Sequence, residues 1–367
     1  MKARRMNADQ DSNENRPSAA AIREARAQNP KTRERDLASS LGVSEAELVA
    51  SFVGHGTRRI EPRFDDLFPG LKEVGEVMAL TRNKSAVHEK IGPFEKFIQG
   101  KRAALMLGEQ IDMRMFPGNW VHGFAVEKTD GKDVRRSLQF FDAHGDAVQK
   151  IHARPETDMV AWERLVDRLS LEDQREDVLP EVTRAEPFRR KIPSEGVETA
   201  LRERWRAMKD PHQFHGLLKD LDLDRVSAFE LAGETWAWPL DAGSVPALLR
   251  LTASERIPLM CFVGNRGCIQ IHTGVVETVM DRGPWINIMD PTFHLHLRTD
   301  HIHEVWAVRK PADIGHVTSI EAYDRDGQQI IQFFGVRGEG NAERGDWRSL
   351  VENLPRLDRA VELEVAE

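Results

Sequence analysis

The sequence predicts an α+β fold in which one domain occurs twice, giving two large antiparallel β-sheets, each flanked by helices. Three observations support this. A single offset aligns two long parts of the chain, short stretches typical of strands follow one another directly, and each copy closes with a helix that carries a tryptophan. Strands joined without intervening helices favour antiparallel pairing, because parallel neighbours need a long crossover.

The repeat is visible at matched positions along the chain. Phe124 aligns with Trp306 at an offset of 182 (306 − 124 = 182), and Asp142 aligns with Asp324. SLQFFDAHGDAVQKI in the first copy corresponds to SIEAYDRDGQQIIQF in the second, and each contains a hairpin signal, DAHGD or DRDGQ. This agreement indicates a tandem repeat of about 180 residues per copy.

Composition divides the chain into five segments. Residues 1–27 are predicted to be a polar tail, and residues 28–170 and 199–355 are the two repeats. Residues 171–198 are charged and punctuated by prolines, which is typical of a linker, and residues 356–367 form a C-terminal tail.

The bulk composition is that of an ordinary soluble protein. The formal charge of −8 disfavours nucleic acid as a primary partner. No apolar run approaches the roughly 20 residues of a membrane span, and the N-terminus lacks the apolar core of a secretion signal. We therefore expect a cytoplasmic protein that is not embedded in a membrane.

The two cysteines fit that compartment. Cys261 and Cys268 flank VGNRG, which predicts a hairpin turn centred on Asn265 and Arg266. In that register Cys261 faces Gln270, so the two sulfurs are diagonal neighbours, too far apart for an easy disulfide. We expect two buried thiols.

Residues 206–220, RAMKDPHQFHGLLKD, predict an amphipathic helix with two histidines three residues apart. Asp210 can cap it, Pro211 suits its first turn, and a capping-box glutamine follows. His212 projects about 180° away from the apolar stripe, so it does not pack behind its own helix. The stripe is Phe214, Leu217, Leu218 and Leu221. Solvent exposure, a zinc pair with His215 and a ligand on that face all stay open for His212.

The repeat separates this helix from its histidine. The first copy has NPKT at 29–32 where the second has DPHQ at 210–213, so Lys31 stands where His212 stands. The helix start belongs to both copies, whereas the histidine belongs to the second alone. This difference favours one ligand site per chain.

A second histidine cluster lies in FHLHLRTDHIH. His294 and His296 share one strand face, and His301 and His303 share another. Four imidazoles could bind zinc or iron, but no carboxylate or cysteine completes a known spacing, so polar sheet residues are the preferred interpretation. No nucleophile elbow, phosphate loop or dinucleotide fingerprint is present.

Several longer stretches resemble the hemin-degrading factors, the HemS/HmuS/ChuS type of cytoplasmic haem-uptake proteins. The resemblance runs from about residue 28 to 355. It is carried by VGEVMALTRNKSAVHEKIG, IDMRMFPGNWVHGFAVE, MCFVGNRGCIQIHTG, HLHLRTDHIHEVWAVRKP and QFFGVR. It implies a HemS-like fold with haem b (iron protoporphyrin IX) between a helix and the C-terminal sheet.

The resemblance also implies a set of site residues. His212 matches the axial ligand of the haem iron, with His215 as a candidate alternate ligand, and Arg114 lines the far side of the haem as a second catalytic residue. The remaining haem contacts are Met260, Phe262, Lys310, Gln332, Phe334 and Arg337, and weaker support attaches to Arg225 and His88. Lys310 and Arg337 lie near the propionates, where paired cations suit two carboxylates. Phe334 departs from the tyrosine that some members carry.

The implied function is haem-iron acquisition. The protein would bind one haem and degrade it oxidatively to release iron, with electrons from an outside donor, since no flavin or nicotinamide motif is visible. The alternative is a non-enzymatic chaperone that takes haem from an importer on the cytoplasmic side and hands it to a separate haem oxygenase. The sequence leaves open this choice, the product, the reductant and the oligomeric state.

Overall fold

The computed structural model describes residues 16–337 and 341–357, which divide into two compact units. Unit 1 comprises the residues up to 82, 89–186 and 265–270. Unit 2 comprises residues 83–88, 187–264 and those from 271 onward. Each unit therefore contains most of one half of the sequence, together with one short segment from the other half.

Unit 1 opens with three short helices, followed by strands and two longer helices. In chain order the elements are α1 (Ala19–Gln28), α2 (Glu34–Ser40), α3 (Glu45–Ala50), β1 (Thr57–Ile60), α4 (Phe64–Val74), β2 (Val77–Arg82), β3 (Ala86–Gly92), β4 (Lys96–Ile98), β5 (Ala104–Leu107), β6 (Asp112–Met115), β7 (His122–Asp130), β8 (Asp133–Phe141), β9 (Ala147–Ala153) and α5 (Met159–Leu169). Its large antiparallel sheet has the strand order β1-β7-β8-β9-β2-β3, and β4, β5 and β6 pair in that order.

Unit 2 repeats this plan. Its elements are α6 (Val197–Arg206), α7 (Gln213–Asp220), α8 (Arg225–Ala232), β10 (Ala237–Leu240), α9 (Ser244–Ser254), β11 (Leu259–Gly264), β12 (Cys268–Gly274), β13 (Val279–Arg282), β14 (Trp285–Met289), β15 (Phe293–Arg298), β16 (Glu304–Pro311), β17 (His316–Tyr323), β18 (Gln329–Gly335) and α10 (Gly345–Glu352). The large sheet has the strand order β10-β16-β17-β18-β11-β12, and β13, β14 and β15 pair in that order. The predicted tandem α+β architecture is confirmed.

The large sheet of unit 2 has a different apolar cluster on each face. On one face Cys261, Phe333 and Ile320 pack with α9 and α10. On the other face Trp306 and Val308 pack with α6, α7 and α8. The period of two along each strand sends alternate residues to these two clusters.

The predicted hairpins at DAHGD and DRDGQ are confirmed. Gly145 and Gly327 adopt φ values of +74° and +82°, which a glycine accepts without strain. At VGNRG the prediction is wrong by one residue. The Asn265 N–H donates to the Cys268 carbonyl, which centres the turn on Arg266 and Gly267. Both cysteines are buried and reduced, as predicted.

The segment 1–27, predicted to be a polar tail, includes the start of a helix. Helix α1 starts at Ala19, and its Ile22 is buried against Leu37 and Leu48. Residues 1–15 lie outside the described part of the chain, as do residues 358–367 of the predicted C-terminal tail. The predicted linker 171–198 has no regular element until α6 begins at Val197. Across the described residues, no helix combines the length and apolar character that crossing a bilayer requires.

Candidate functional site

Four predicted site residues share one half-exposed stretch of the unit 2 sheet. Met260 lies opposite Phe334, and Phe262 opposite Gln332, on the neighbouring strands β11 and β18. The rings of Phe262 and Phe334 meet edge to face, with centroids 5.0 Å apart. All four are partly exposed, whereas the residues alternating with them are buried. We call these four residues the open patch.

Helices cover the same sheet face beside the open patch. Trp306 on β16 and Tyr323 on β17 are buried there against Phe214 of α7 and Phe229 of α8. The face is thus closed by helices over β16 and β17 but partly exposed over β18 and β11. A flat apolar molecule has a wall available at the open patch.

His212 lies immediately before α7 and points away from the core, as predicted. Its side chain is 65% exposed, and its Nδ1 lies 2.7 Å from Oδ1 of Asp210. A carboxylate at this distance favours the tautomer that donates from Nδ1, which puts the ring lone pair on Nε2. That atom is the one an imidazole uses to ligate a metal from this orientation.

The predicted helix start is wrong by two residues. The helix begins at Gln213 and not at Pro211, because the Asp210 carboxylate accepts from the His212 backbone N–H and imidazole and so does not cap at the third position. Half of the predicted capping box exists, since Gln213 Oε1 accepts from the Asp210 backbone N–H. This carboxylate–imidazole bond was missed from the sequence, although a two-residue spacing of Asp and His permits it.

The next turn of α7 is open to solvent. His215 and Gly216 are both exposed, and a Cβ placed on Gly216 would meet nothing within 4 Å. The absence of a side chain leaves room for a ring beside His212. The role of His215 stays a prediction.

Arg337 lies just beyond β18 and is exposed. The hydrogen bonds from His212 lower the pKa of the Asp210 carboxyl, and the charge of Arg337 adds a smaller contribution in the same direction. The charge of Arg337 therefore acts on the Asp210 carboxyl.

Lys310 is buried, which the sequence did not reveal. Its Nζ lies 2.7 Å from Oε1 of Glu321 and 6.0 Å from the Phe334 ring centroid. Burial lowers the pKa of Lys310 to about 8, although Glu321 raises it. Sequence reasoning also missed Glu321, whose only signal is a lone carboxylate in the apolar strand VTSIEAY. Arg225 contacts the same carboxylate at 2.8 Å.

Arg114 lies on β6 of unit 1, half-buried and opposite Leu105. Burial raises the pKa of the neighbouring Asp112 carboxyl, and the charge of Arg114 opposes that shift. The distal role of Arg114 stays a prediction.

Of the second histidine cluster, His294 and His296 lie on β15, as predicted, but His301 ends a 3₁₀ turn and His303 precedes β16, so the predicted strand face for that pair is wrong. His296 Nδ1 contacts Asn287 Oδ1 at 2.7 Å, and His301 Nδ1 contacts Ser85 Oγ at 3.0 Å. The buried His88 ring lies 4.9 Å from that of Phe293. In the described ranges, no group of three or more histidine, cysteine or acidic side chains could hold a metal ion.

The model of one protein family matches both repeats. It is the haemin-degrading HemS/ChuX domain, and it matches residues 42–169 and 222–354. The chain belongs to this family. The double match agrees with the tandem repeat read from the sequence and from the two units.

Full-length relatives support the same membership. The hemin transport protein HemS of Yersinia enterocolitica is 40% identical over 343 residues, covering 92% of this chain and 97% of that protein. The crystal structure of holo-PhuS, a heme-binding protein of Pseudomonas aeruginosa, has 43% identity and a TM-score of 0.88, covering 92% of this chain and 98% of its own. ChuS, an E. coli heme oxygenase, has 37% identity and a TM-score of 0.81, covering 90% and 98%. This HemS/ChuX family member therefore has haem-binding, haem-transporting and haem-degrading relatives.

Proposed function

We propose that this HemS/ChuX family member binds one haem b in unit 2 through His212 and degrades it to release iron. The observation that carries the proposal is the exposed His212 imidazole, held by Asp210, in the unit that also presents the open patch. Unit 1 has Lys31 at the matching position. The named functions of the relatives support haem as the molecule bound.

The residues present fit the chemistry of haem. Iron needs a neutral imidazole, and the Asp210 carboxylate orients that of His212. The macrocycle needs a flat apolar wall and space, which the open patch and Gly216 supply.

The two propionates need cations. Arg337 is exposed and its charge acts on the Asp210 carboxyl, so it is the stronger propionate contact of the two predicted cations. The Lys310 ammonium already binds Glu321, so it would have to hydrogen-bond a propionate and Glu321 at the same time. Gln332, on the open patch, adds a neutral amide donor.

Haem, when bound, supplies the redox chemistry of its own degradation. The chain binds the ring, orients it through His212 and keeps water from its apolar face. Arg114 is proposed as a cation on the opposite side of the ring, and electrons come from an external reductase or small reductant.

A second candidate function is haem transfer. It is favoured by the exposure of both His212 and His215, which stand on the solvent side of α7 and can pass a ligand between them. In this case the protein carries imported haem to a separate haem oxygenase.

An aerobic turnover assay separates the two functions. The haem-loaded protein receives an electron donor with catalase present, because free peroxide bleaches haem without an enzyme. Degradation predicts loss of the Soret band and release of chelatable iron, with Arg114→Ala slowing this more than it weakens haem binding. An intact Soret band, together with transfer of haem to an oxygenase faster than to an apo-globin trap, would replace degradation with transport.

A further inference from the structure

A buried carboxylate, Glu321, stands at the centre of a hydrogen-bond network beneath α7. Its side chain is 0% exposed and accepts from Lys310 Nζ at 2.7 Å, Tyr323 Oη at 2.7 Å and Arg225 Nη2 at 2.8 Å. Further donors to it are Ser319 and Gln329. Burial opposes the charge on Glu321, but Arg225 and Lys310 hold its pKa far below the usual range. The network therefore contains one fixed anion between two cations.

Both cations converge on a single aromatic ring. The Arg225 guanidinium lies 5.1 Å and the Lys310 ammonium 4.9 Å from the centroid of Phe214. Cations this close to a ring face are attracted to it, more strongly when desolvated. Because Glu321 binds both cations, it fixes their positions relative to the Phe214 ring.

Phe214 connects this network to His212. It lies in the first turn of α7, two residues after His212, and is 2% exposed. Trp205 packs edge to face against it at 4.7 Å, and Phe229 stacks on it at 6.0 Å. A ring held by two cations and two aromatic side chains fixes the beginning of the helix that carries the imidazole.

We infer that Glu321 is a positioning residue for His212. By fixing Arg225 and Lys310 against Phe214, it sets the position and rigidity of the start of α7, although it does not touch the imidazole. The inference rests on the proposed function only in taking His212 as the haem ligand. The effect of Glu321 on the start of α7 does not depend on haem.

The direct test is hydrogen exchange of the α7 amides in the protein without haem. Glu321→Gln keeps the size of the side chain but leaves the buried Lys310 and the partly exposed Arg225 without their carboxylate. The α7 amides should therefore exchange about tenfold faster than in the wild type. The matched control is Glu45→Gln, which removes a buried carboxylate paired with Lys150 at 2.6 Å in unit 1 and should leave α7 unchanged. Unchanged exchange at α7 in Glu321→Gln overturns the inference.

A second variant covers a failure of Glu321→Gln to fold. Phe214→Leu keeps the ionic network but removes the ring that contacts its two cations. The α7 amides should then also exchange about tenfold faster. Exchange equal to that of the wild type would also overturn the inference.

The haem-bound protein supplies a separate readout. Glu321→Gln should weaken haem binding about tenfold, and added imidazole should restore a histidine-type Soret spectrum, because the iron site is intact and only its ligand is misplaced. If His212→Ala binds haem with a wild-type spectrum while Glu321→Gln accelerates α7 exchange, the proposed ligand fails and the effect on α7 stands. If added imidazole does not restore the spectrum of Glu321→Gln, the positioning role is wrong.

Discussion

The two units use the same stretch of sheet in opposite ways. The open patch of unit 2 has a counterpart in unit 1 at the offset of 182 (260 − 182 = 78), made of Met78, Leu80, Lys150 and His152. Met78 lies opposite His152 and Leu80 opposite Lys150, the same register as in the open patch. The backbone is therefore conserved between the copies while two of the four side chains change from neutral to ionisable.

Ion pairs close the unit 1 face. The Lys150 side chain is 8% exposed, and its Nζ lies 2.6 Å from Glu45 of α3 and 3.5 Å from Glu34 of α2. Burial opposes ionisation of Glu34, but the charges of Lys150 and Lys128 lower its pKa to about 2. In unit 2 the position that matches Glu34 at the offset of 182 (216 − 34 = 182) is Gly216 of α7, which has no side chain to form such an ion pair.

The two units have the same backbone here, so a difference in ligand binding between them would come from their side chains. Breaking a buried ion pair leaves an uncompensated charge and costs several kcal/mol, so the unit 1 face resists any flat apolar ligand. The side chains of the open patch are already partly exposed, so a ligand can cover them without breaking an ion pair. We propose that the duplicated fold uses the unit 1 face for stability and the unit 2 face for a ligand.

The largest expected effect is on the closed face. Glu45→Ala leaves Lys150 buried without its nearest carboxylate and should lower the free energy of unfolding by about 3–5 kcal/mol. Urea denaturation followed by tryptophan fluorescence measures this loss, and haem binding serves as the control that should not change. A loss below about 1 kcal/mol would mean that the ion pair does not hold this face closed.

The second prediction concerns acid. Burial, helped by the charge of Lys150, lowers the pKa of His152 from 6.5 to about 4. The unfolded chain therefore binds this proton more tightly, and the free energy of unfolding should fall by about 1–3 kcal/mol as the pH drops from 6.5 to 4.

His152→Phe, the residue present in unit 2, should remove this part of the pH dependence. Urea denaturation at both ends of the window compares the variant with the wild type. An identical pH slope in the two proteins would contradict the assignment to His152.

A smaller effect, on haem affinity, is expected beside the open patch. Arg337→Ala should weaken haem binding by about 1 kcal/mol, the low end for a charge-assisted contact because Arg337 is exposed. A Soret titration measures it, with Arg250→Ala on α9, across the sheet, as the matched control. A haem dimethyl ester that binds wild type as tightly as haem does would exclude a propionate contact.

Local patterns predicted much of this molecule, and long-range contacts account for what they missed. Gly145 and Gly327 revealed their turns because only backbone geometry was involved. The outward direction of His212 followed from helix periodicity alone. The partner of Lys310 is Glu321, 11 residues along the chain on the paired strand β17, where it lies opposite Trp306. No local pattern in the sequence indicates that Lys310 is buried. The predicted start of α7 was wrong because the Asp210 carboxylate binds the His212 imidazole and does not cap the helix.

We propose that unit 2 alone binds haem, through the histidine that stands where unit 1 has Lys31. Soret titration of wild type, Lys31→Ala, His212→Ala and the double variant His212→Ala/His215→Ala tests this proposal. We expect one equivalent of haem and a histidine-type spectrum for wild type and Lys31→Ala, and loss of that spectrum in the double variant. Two tightly bound equivalents in the wild type, or a double variant that keeps the wild-type spectrum and affinity, would contradict it.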